Sequence, residues 1–200
     1  MKKAILLFLI FSLTTLLFSR CNFNHGELKD IEGNSYQLKK FNEQIWMTEN
    51  LKVKKSKEGE SLKFFMPAND SNNVEKYGLL YDFETACKIC PKGWHLPTDR
   101  EWRQFIEFVG ENSGNEIKES LYWTNRNQKF TNKSGFSIRP AGYGNTEFEN
   151  FFGTKAIFWT ATKVDSHFVW GTLLADQLDS FRFAPQHPHY AFSVRCVQDK

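Results

Sequence analysis

The chain has 200 residues, 40% of them hydrophobic, with 12 glycines and 6 prolines, which suits one compact domain and excludes a fibrous or disordered chain. Of its 26 basic and 23 acidic residues, Lys2, Lys3 and Arg20 lie in the first 20 positions, so 23 of each sign remain beyond them. With no basic excess to pair with phosphates, nucleic acid is excluded as a general partner.

Aromatics are the unusual feature, at 16% with 20 Phe and 6 Trp. Such bulk suits a core assembled from short, irregular elements. Lys2 and Lys3 precede an apolar run from Ala4 to Phe18, softened only by Ser12, Thr14 and Thr15, and Cys21 follows at once. Residues 1–20 therefore read as an export signal. The run is shorter than the roughly 20 residues a spanning helix needs and no other stretch qualifies, so no transmembrane helix is expected in the mature chain.

The position of Cys21 resembles a bacterial lipoprotein signal, in which the cysteine is lipidated and becomes residue one. Arg20 stands where a small residue is expected, which leaves simple secretion and an uncleaved anchor as alternatives. A single acyl chain binds weakly, so stable anchoring requires more than one.

Residues 21–27 form a polar tether, and the domain proper is expected over 28–200. Asp30 to Asn34 predicts a hairpin turn, Tyr36 and Leu38 alternate with polar neighbours, and Ile45-Trp46-Met47 predicts a second strand. Lys54 to Asn73 reads as loop, with turn chemistry at Pro67-Ala68-Asn69-Asp70. Lys52, Lys54, Lys55 and Lys57 form a basic run answered by Glu58 and Glu60, read as a solvated loop. Tyr77 to Tyr81 is the strand feeding the first helix.

Phe83, Ala86, Cys87 and Cys90 fall on one helical stripe, with Asp82 placed to cap it and Pro91 to end it. Cys-Pro-Lys-Gly suits a type I turn with Gly93 fourth. Trp94 to Leu96 is a short extended piece. Thr98 and Glu101 have the capping-box spacing, and Trp102, Phe105, Ile106 and Val109 give a second helix one apolar face before Gly110.

Leu121 to Thr124 predicts a short strand. The segment from Asn125 to Ala156, rich in Asn, Gly and Phe, is long for a structureless loop, so it is either functional or contains short elements such as Phe136 to Pro140. Ile157 to Thr162, His167 to Leu174, Phe181 to Phe183 and Tyr190 to Val197 read as a meander of strands. In the last of them Tyr190, Phe192, Val194 and Cys196 share an inward face.

Five blocks in order now carry a resemblance: Gln44 to Leu51, Tyr77 to Tyr81, Cys90 to Trp102, Phe158 to Thr162 and Phe192 to Val197. Over about Asp30 to Asp199 the chain resembles the Fibrobacter succinogenes major paralogous (FISUMP) domain of exported bacterial proteins, a family whose function is not established. The resemblance implies an architecture and a compartment rather than a reaction. The order of elements is also similar to the C-type lectin-like fold, α+β with two short helices on a small, mostly antiparallel sheet with long loops. In that fold a first-helix cysteine pairs with one in the last strand, positions taken here by Cys90 and Cys196. Such a closure of roughly 100 residues would stabilise by about 4 to 5 kcal/mol in the chain-entropy model, and an oxidising compartment permits it.

The remaining chemistry is thin. Cys87 and Cys90 form a Cys-x-x-Cys, but at the end of a helix rather than its start, where the dipole opposes thiolate formation. With Cys21 lipidated, Cys87 is expected to be a buried free thiol. His187 and His189 offer only a local pair toward a metal, and a turn explains them as well; no metal or cofactor is expected. His95 reads as a hydrogen-bonded structural residue.

No nucleophile elbow, phosphate loop or dinucleotide fingerprint is present. Glu147 and Glu149 form only the kind of carboxylate pair any acid-rich chain offers. The calcium-dependent sugar motifs of true lectins are absent. Trp46, Trp94, Trp102 and Trp159 lie on apolar stripes and read as core, whereas Trp123, Tyr143, Phe148, Phe151, Phe152 and Trp170, in or near the long loop, are the candidate ligand face, with packing beneath that loop as the alternative.

The expectation is thus a non-enzymatic, exported, lipid-anchored domain binding a glycan or protein at the cell envelope. The alternatives are an enzyme acting on envelope protein or polysaccharide, since a related lectin-like fold supports the formylglycine-generating enzymes, and a structural component of a surface assembly.

Overall fold

The computed structural model describes residues 26–125, 128–145 and 150–200. Strands β1 (Glu27–Lys29), β2 (Ser35–Phe41) and β3 (Gln44–Met47) form an antiparallel meander. The first turn is held where Asp30 was expected, its carboxylate accepting from the amides of Glu32 and Asn34 and from the Tyr36 hydroxyl at 2.7 Å. Short helices α1 (Val74–Tyr77) and α2 (Phe83–Ala86), strand β4 (Trp94–His95) and helices α3 (Asp99–Val109) and α4 (Gly114–Ile117) follow. Strands β5 (Lys155–Lys163), β6 (Val169–Ala175), β7 (Arg182–Gln186) and β8 (Val197–Gln198) complete the chain.

Two antiparallel sheets result, one in the order β1-β2-β3-β8-β4 and one in the order β5-β6-β7. The architecture is α+β, with few and short helices. Neighbouring residues of β3 serve different cores. Trp46 packs with Phe41, Trp102 and Phe105, while Met47 packs with Leu38, Leu51, Cys90 and Cys196. The five-stranded sheet is therefore buried on both faces, which is why one short strand can carry consecutive large apolar residues. Helix α3 covers the Trp46 side, and its start is a complete capping box between Thr98 and Glu101.

Residues 191–197 join the two sheets and are buried throughout. Met47 and Leu51 donate to the carbonyls of Cys196 and Val194, while Trp159 donates to Ser193 and Ser193 donates to Ile157. Only Val197 and Gln198 pair as a regular strand; Tyr81, Gly144 and Phe158 meet the preceding residues through isolated bridges. The expected strand from Tyr190 is thus a buried extended segment shared between neighbours. Cys90 and Cys196 are disulfide-bonded, with Cα atoms 5.8 Å apart across 106 positions.

Four local expectations are corrected. Helix α2 stops at Ala86 because the Lys88 amide turns back to Thr85, which carries Ile89 and Cys90 inward. The following turn is Pro91 to Trp94, with Gly93 third at a φ of 80°, as a type II turn requires. Leu121 to Thr124 is not a strand: Tyr122 turns back to Glu119, and Leu121 stays exposed while Trp123 is buried. Tyr77 to Tyr81 is not a regular strand: Tyr77 closes α1, and the residues after Gly78 are bridged only singly, at Leu80 and Tyr81. Gly78 allows this approach, since a Cβ there would lie 2.6 Å from Asn50 Cβ.

Candidate functional site

A line of partly exposed rings starts at the β5–β6 hairpin. The Asp165 carboxylate accepts from the amides of His167 (2.6 Å) and Phe168 (2.9 Å), while Val164 donates to the Phe168 carbonyl at 2.9 Å. Those backbone donors hold the Asp165 carboxyl below its usual range and pin the tip so that Phe168 remains 41% exposed.

Beyond β7 the His187-Pro188-His189 turn folds back, with Tyr190 donating to His187 and Phe83 to Pro188. It stacks His187 on His189, ring centres 4.6 Å apart. From Phe168 the rings continue to His187 (6.2 Å), from His187 to Tyr190 (6.4 Å), then to Tyr143 (6.4 Å) and to Phe151 (5.2 Å). The Lys155 ammonium sits 3.3 Å above the Phe151 ring, a cation–π contact that fixes this end.

Beside the Phe168 end lies a groove of about 440 Å³ floored by Phe83, Ala161, Val169 and Pro188 and rimmed by Lys163, Ser166 and His167. An apolar floor with a few polar groups on its rim is the usual form of a binding cleft.

Cys87 opens onto this groove. It is free and exposed, contrary to the expectation of a buried thiol, because the early end of α2 leaves it at the helix terminus rather than on the inward stripe. Partial burial pushes its thiol up, and Lys163 and Lys88 nearby do not reverse this. A neutral thiol is a poor nucleophile. His167 shares the groove, but its Nδ1 is paired with Ser166 Oγ at 2.9 Å.

Of the six candidate ligand residues, the structure brings together Tyr143 and Phe151. Trp123 is corrected to a core residue: it is fully buried, its indole N–H donates to the Ile138 carbonyl at 3.1 Å and the Lys118 ammonium lies 5.0 Å over its ring. Phe152 packs edge-on against Tyr77 at 4.8 Å, in a separate cluster with Leu80 and Ala141. Trp170 neighbours Gly171, the register partner of Trp159. It therefore points to the opposite sheet face from Trp159, Phe192 and Tyr143, which stack in series. Phe148, Glu147 and Glu149 lie outside the described residues, as do residues 1–20 and Cys21.

Sequence reasoning missed Phe168, His187 and Tyr190 as members of this surface. Tyr190 was assigned inward by alternation, and the His-Pro-His turn gave no sign of stacking on its neighbours.

Two buried cations were also missed. Arg195 donates to Asn50 Oδ1 at 2.8 Å, to the Ser137 carbonyl at 2.9 Å and to the Phe136 carbonyl, and its guanidinium lies 4.5 Å over the Phe136 ring. Burial pushes it down to about 9. Lys118, likewise pushed down by burial to about 8, donates to the carbonyls of Asp176 (3.1 Å) and Leu178 (2.7 Å). Both hold loops to the sheets rather than facing solvent. His95 is held by Asp199 at 2.7 Å and Glu101 at 3.0 Å. Burial opposes its charge, but these two partners outweigh burial and raise its pKa.

Among the described residues no three His, Cys, Asp or Glu side chains converge as a metal would require, and no helix is long and apolar enough to cross a membrane.

The fold is α+β, with curled antiparallel sheets and a ring-lined surface beside a shallow groove. Residues 40–198 match the model of the Fibrobacter succinogenes major domain, and the chain belongs to that family. Searches of curated proteins and of solved structures found no match.

Proposed function

We propose that this chain is a non-enzymatic, exported and lipid-anchored recognition domain of C-type lectin-like architecture, and that it binds a glycan at the cell envelope. The observation that carries the reading is the line of partly exposed rings from Phe168 to Phe151, running into the groove. A sugar ring presents an apolar C–H face that stacks on aromatic rings, while its hydroxyls need polar partners of the kind Ser166, His167 and Lys163 offer on the rim. The lectin-like architecture is supported by the covalent tie between the end of the α2 region and the last segment, and by the long connection that precedes β5.

A formylglycine-generating type of enzyme would use a pair of active-site cysteines. Here Cys90 and Cys196 are bonded to each other, and Cys87 is held as a neutral thiol, which supports the non-enzymatic reading.

The test is a glycan array followed by titration of the best ligand. Phe168→Ser and Tyr143→Ser are each expected to weaken binding by roughly tenfold, the worth of one stacked ring, while Trp170→Ser on the opposite sheet face leaves it unchanged. Absence of any glycan above background, or equal loss in all three variants, overturns the proposal; capture of an envelope protein that the same two substitutions abolish would establish protein as the ligand.

A further inference from the structure

A second groove, of about 520 Å³, lies by the first strand and is lined by Lys29, Lys55, Lys57 and Lys92 around an apolar floor of Val53, Ile89 and Trp94. These lysines come from three separate segments: β1, the loop after Val53 and the turn after Cys90. All four are exposed, and none has a carboxylate within salt-bridge distance among the described residues.

The four lysines outnumber the two acids of the groove, and neither acid pairs with them. Asp30 accepts from Asn34, Glu32 and Tyr36 within its own turn, and Asp199 is paired with His95. A chain balanced at 23 charges of each sign beyond residue 20 thus gathers an excess of cations on one side. Ile31, 53% exposed, stands beside them. Unpaired ammonium groups around an apolar floor suit a layer of phosphate groups above hydrocarbon.

The groove also lies close to where the chain leaves the domain. Lys29 is two residues beyond Glu27, where β1 begins, and the six peptide steps back to Cys21 span at most about 20 Å when fully extended. An acylated Cys21 would therefore hold this face within reach of the lipid headgroups.

We infer that the lysine groove docks on an anionic phospholipid surface, so that the domain rests against the membrane that anchors it. The inference rests on the lipid-anchored reading for its geometry and on the groove's charge for its ligand. Each lysine near an anionic surface contributes roughly fivefold to the attraction, which concentrated salt screens.

The full chain, mixed with vesicles of phosphatidylcholine alone or with added phosphatidylglycerol, tests both parts when lysine acetylation and flotation are read together. Lys29, Lys55, Lys57 and Lys92 are expected to be acetylated at least about fivefold more slowly on the anionic vesicles, with the protection lost in 1 M salt. Lys133, whose side chain is 77% exposed elsewhere, should react equally on both. Replacing all four lysines by glutamine should abolish any preference for anionic vesicles. Equal acetylation on both vesicles overturns the docking surface, while flotation on neutral vesicles in that same experiment upholds the anchor. Flotation on anionic vesicles alone supports the groove and overturns the anchor; flotation on neither overturns both.

Discussion

Cys196 and Arg195 are adjacent in the chain, face opposite ways and fasten the closing segment by opposite means. On one side Cys196 lies among Leu38, Met47, Leu51 and Trp94 and is bonded to Cys90. On the other, Arg195 reaches Asn50, Phe136 and Ser137 and lies over the Phe136 ring, without a carboxylate partner among the described residues. The covalent tie acts mainly on the unfolded chain, whose freedom it restricts. The guanidinium acts only in the folded chain, where it satisfies acceptors that the long loop would otherwise bury unpaired. Asn50 extends that second fastening by donating to the Tyr77 carbonyl and the Ser193 hydroxyl. One side thus narrows what the unfolded chain can do, and the other makes the loop before β5 part of the core.

The largest effect should come from the covalent side. Replacing Cys90 and Cys196 together by alanine is expected to cost about 4 to 5 kcal/mol in the chain-entropy model, read from the shift in denaturant midpoint. Next, Arg195→Met should cost about 3 kcal/mol by leaving three acceptors unpaired. Arg195→Lys should recover little of it, because one ammonium cannot span the fork of acceptors. A full recovery by lysine would show that charge, not geometry, secures this side and would break the contrast.

The smallest effect concerns His95, which ties β4 to Asp199 and α3 on the margin of the same closure. Its folded pKa is raised, so its stabilisation is complete below the unfolded value of about 6.5 and is lost as pH rises through the folded value. With 38% of the side chain exposed the effect is modest. The melting temperature of the parent chain minus that of His95→Gln should therefore shrink from pH 6 to pH 8; a constant difference would show that His95 contributes shape alone.

What the sequence made legible follows from local periodicity. The capping box at Thr98, the turn at Asp30 and the buried tryptophans Trp46, Trp94, Trp102 and Trp159 depend on residues a few positions apart and stand as expected. The Cys90–Cys196 pairing was reached through the likeness of its element order to a known fold. Arg195 and Lys118 were illegible because nothing local marks a cation as buried; their carbonyl partners lie 58 to 60 positions away, and Asn50 lies 145 from Arg195. The ring-lined surface failed for a related reason. Trp123 and Trp170 look alike in sequence to Tyr143, and only the turn at Glu119 and the register of β6 send them elsewhere. The blocks that carry the family resemblance are themselves consumed by the interior, as Gln44 meets Glu101 and Asn50 meets Arg195.

The seat of residues 191–197 between the two sheets also sets an order of events. Strand β8, fourth of the five in the larger sheet, reaches its place between β3 and β4 from far along the chain, so β4 has no paired neighbour until residues 191–198 are seated. Removing residues 191–198 would leave β4 without its partner and the two sheets meeting through the α3 side chains Trp102 and Phe105.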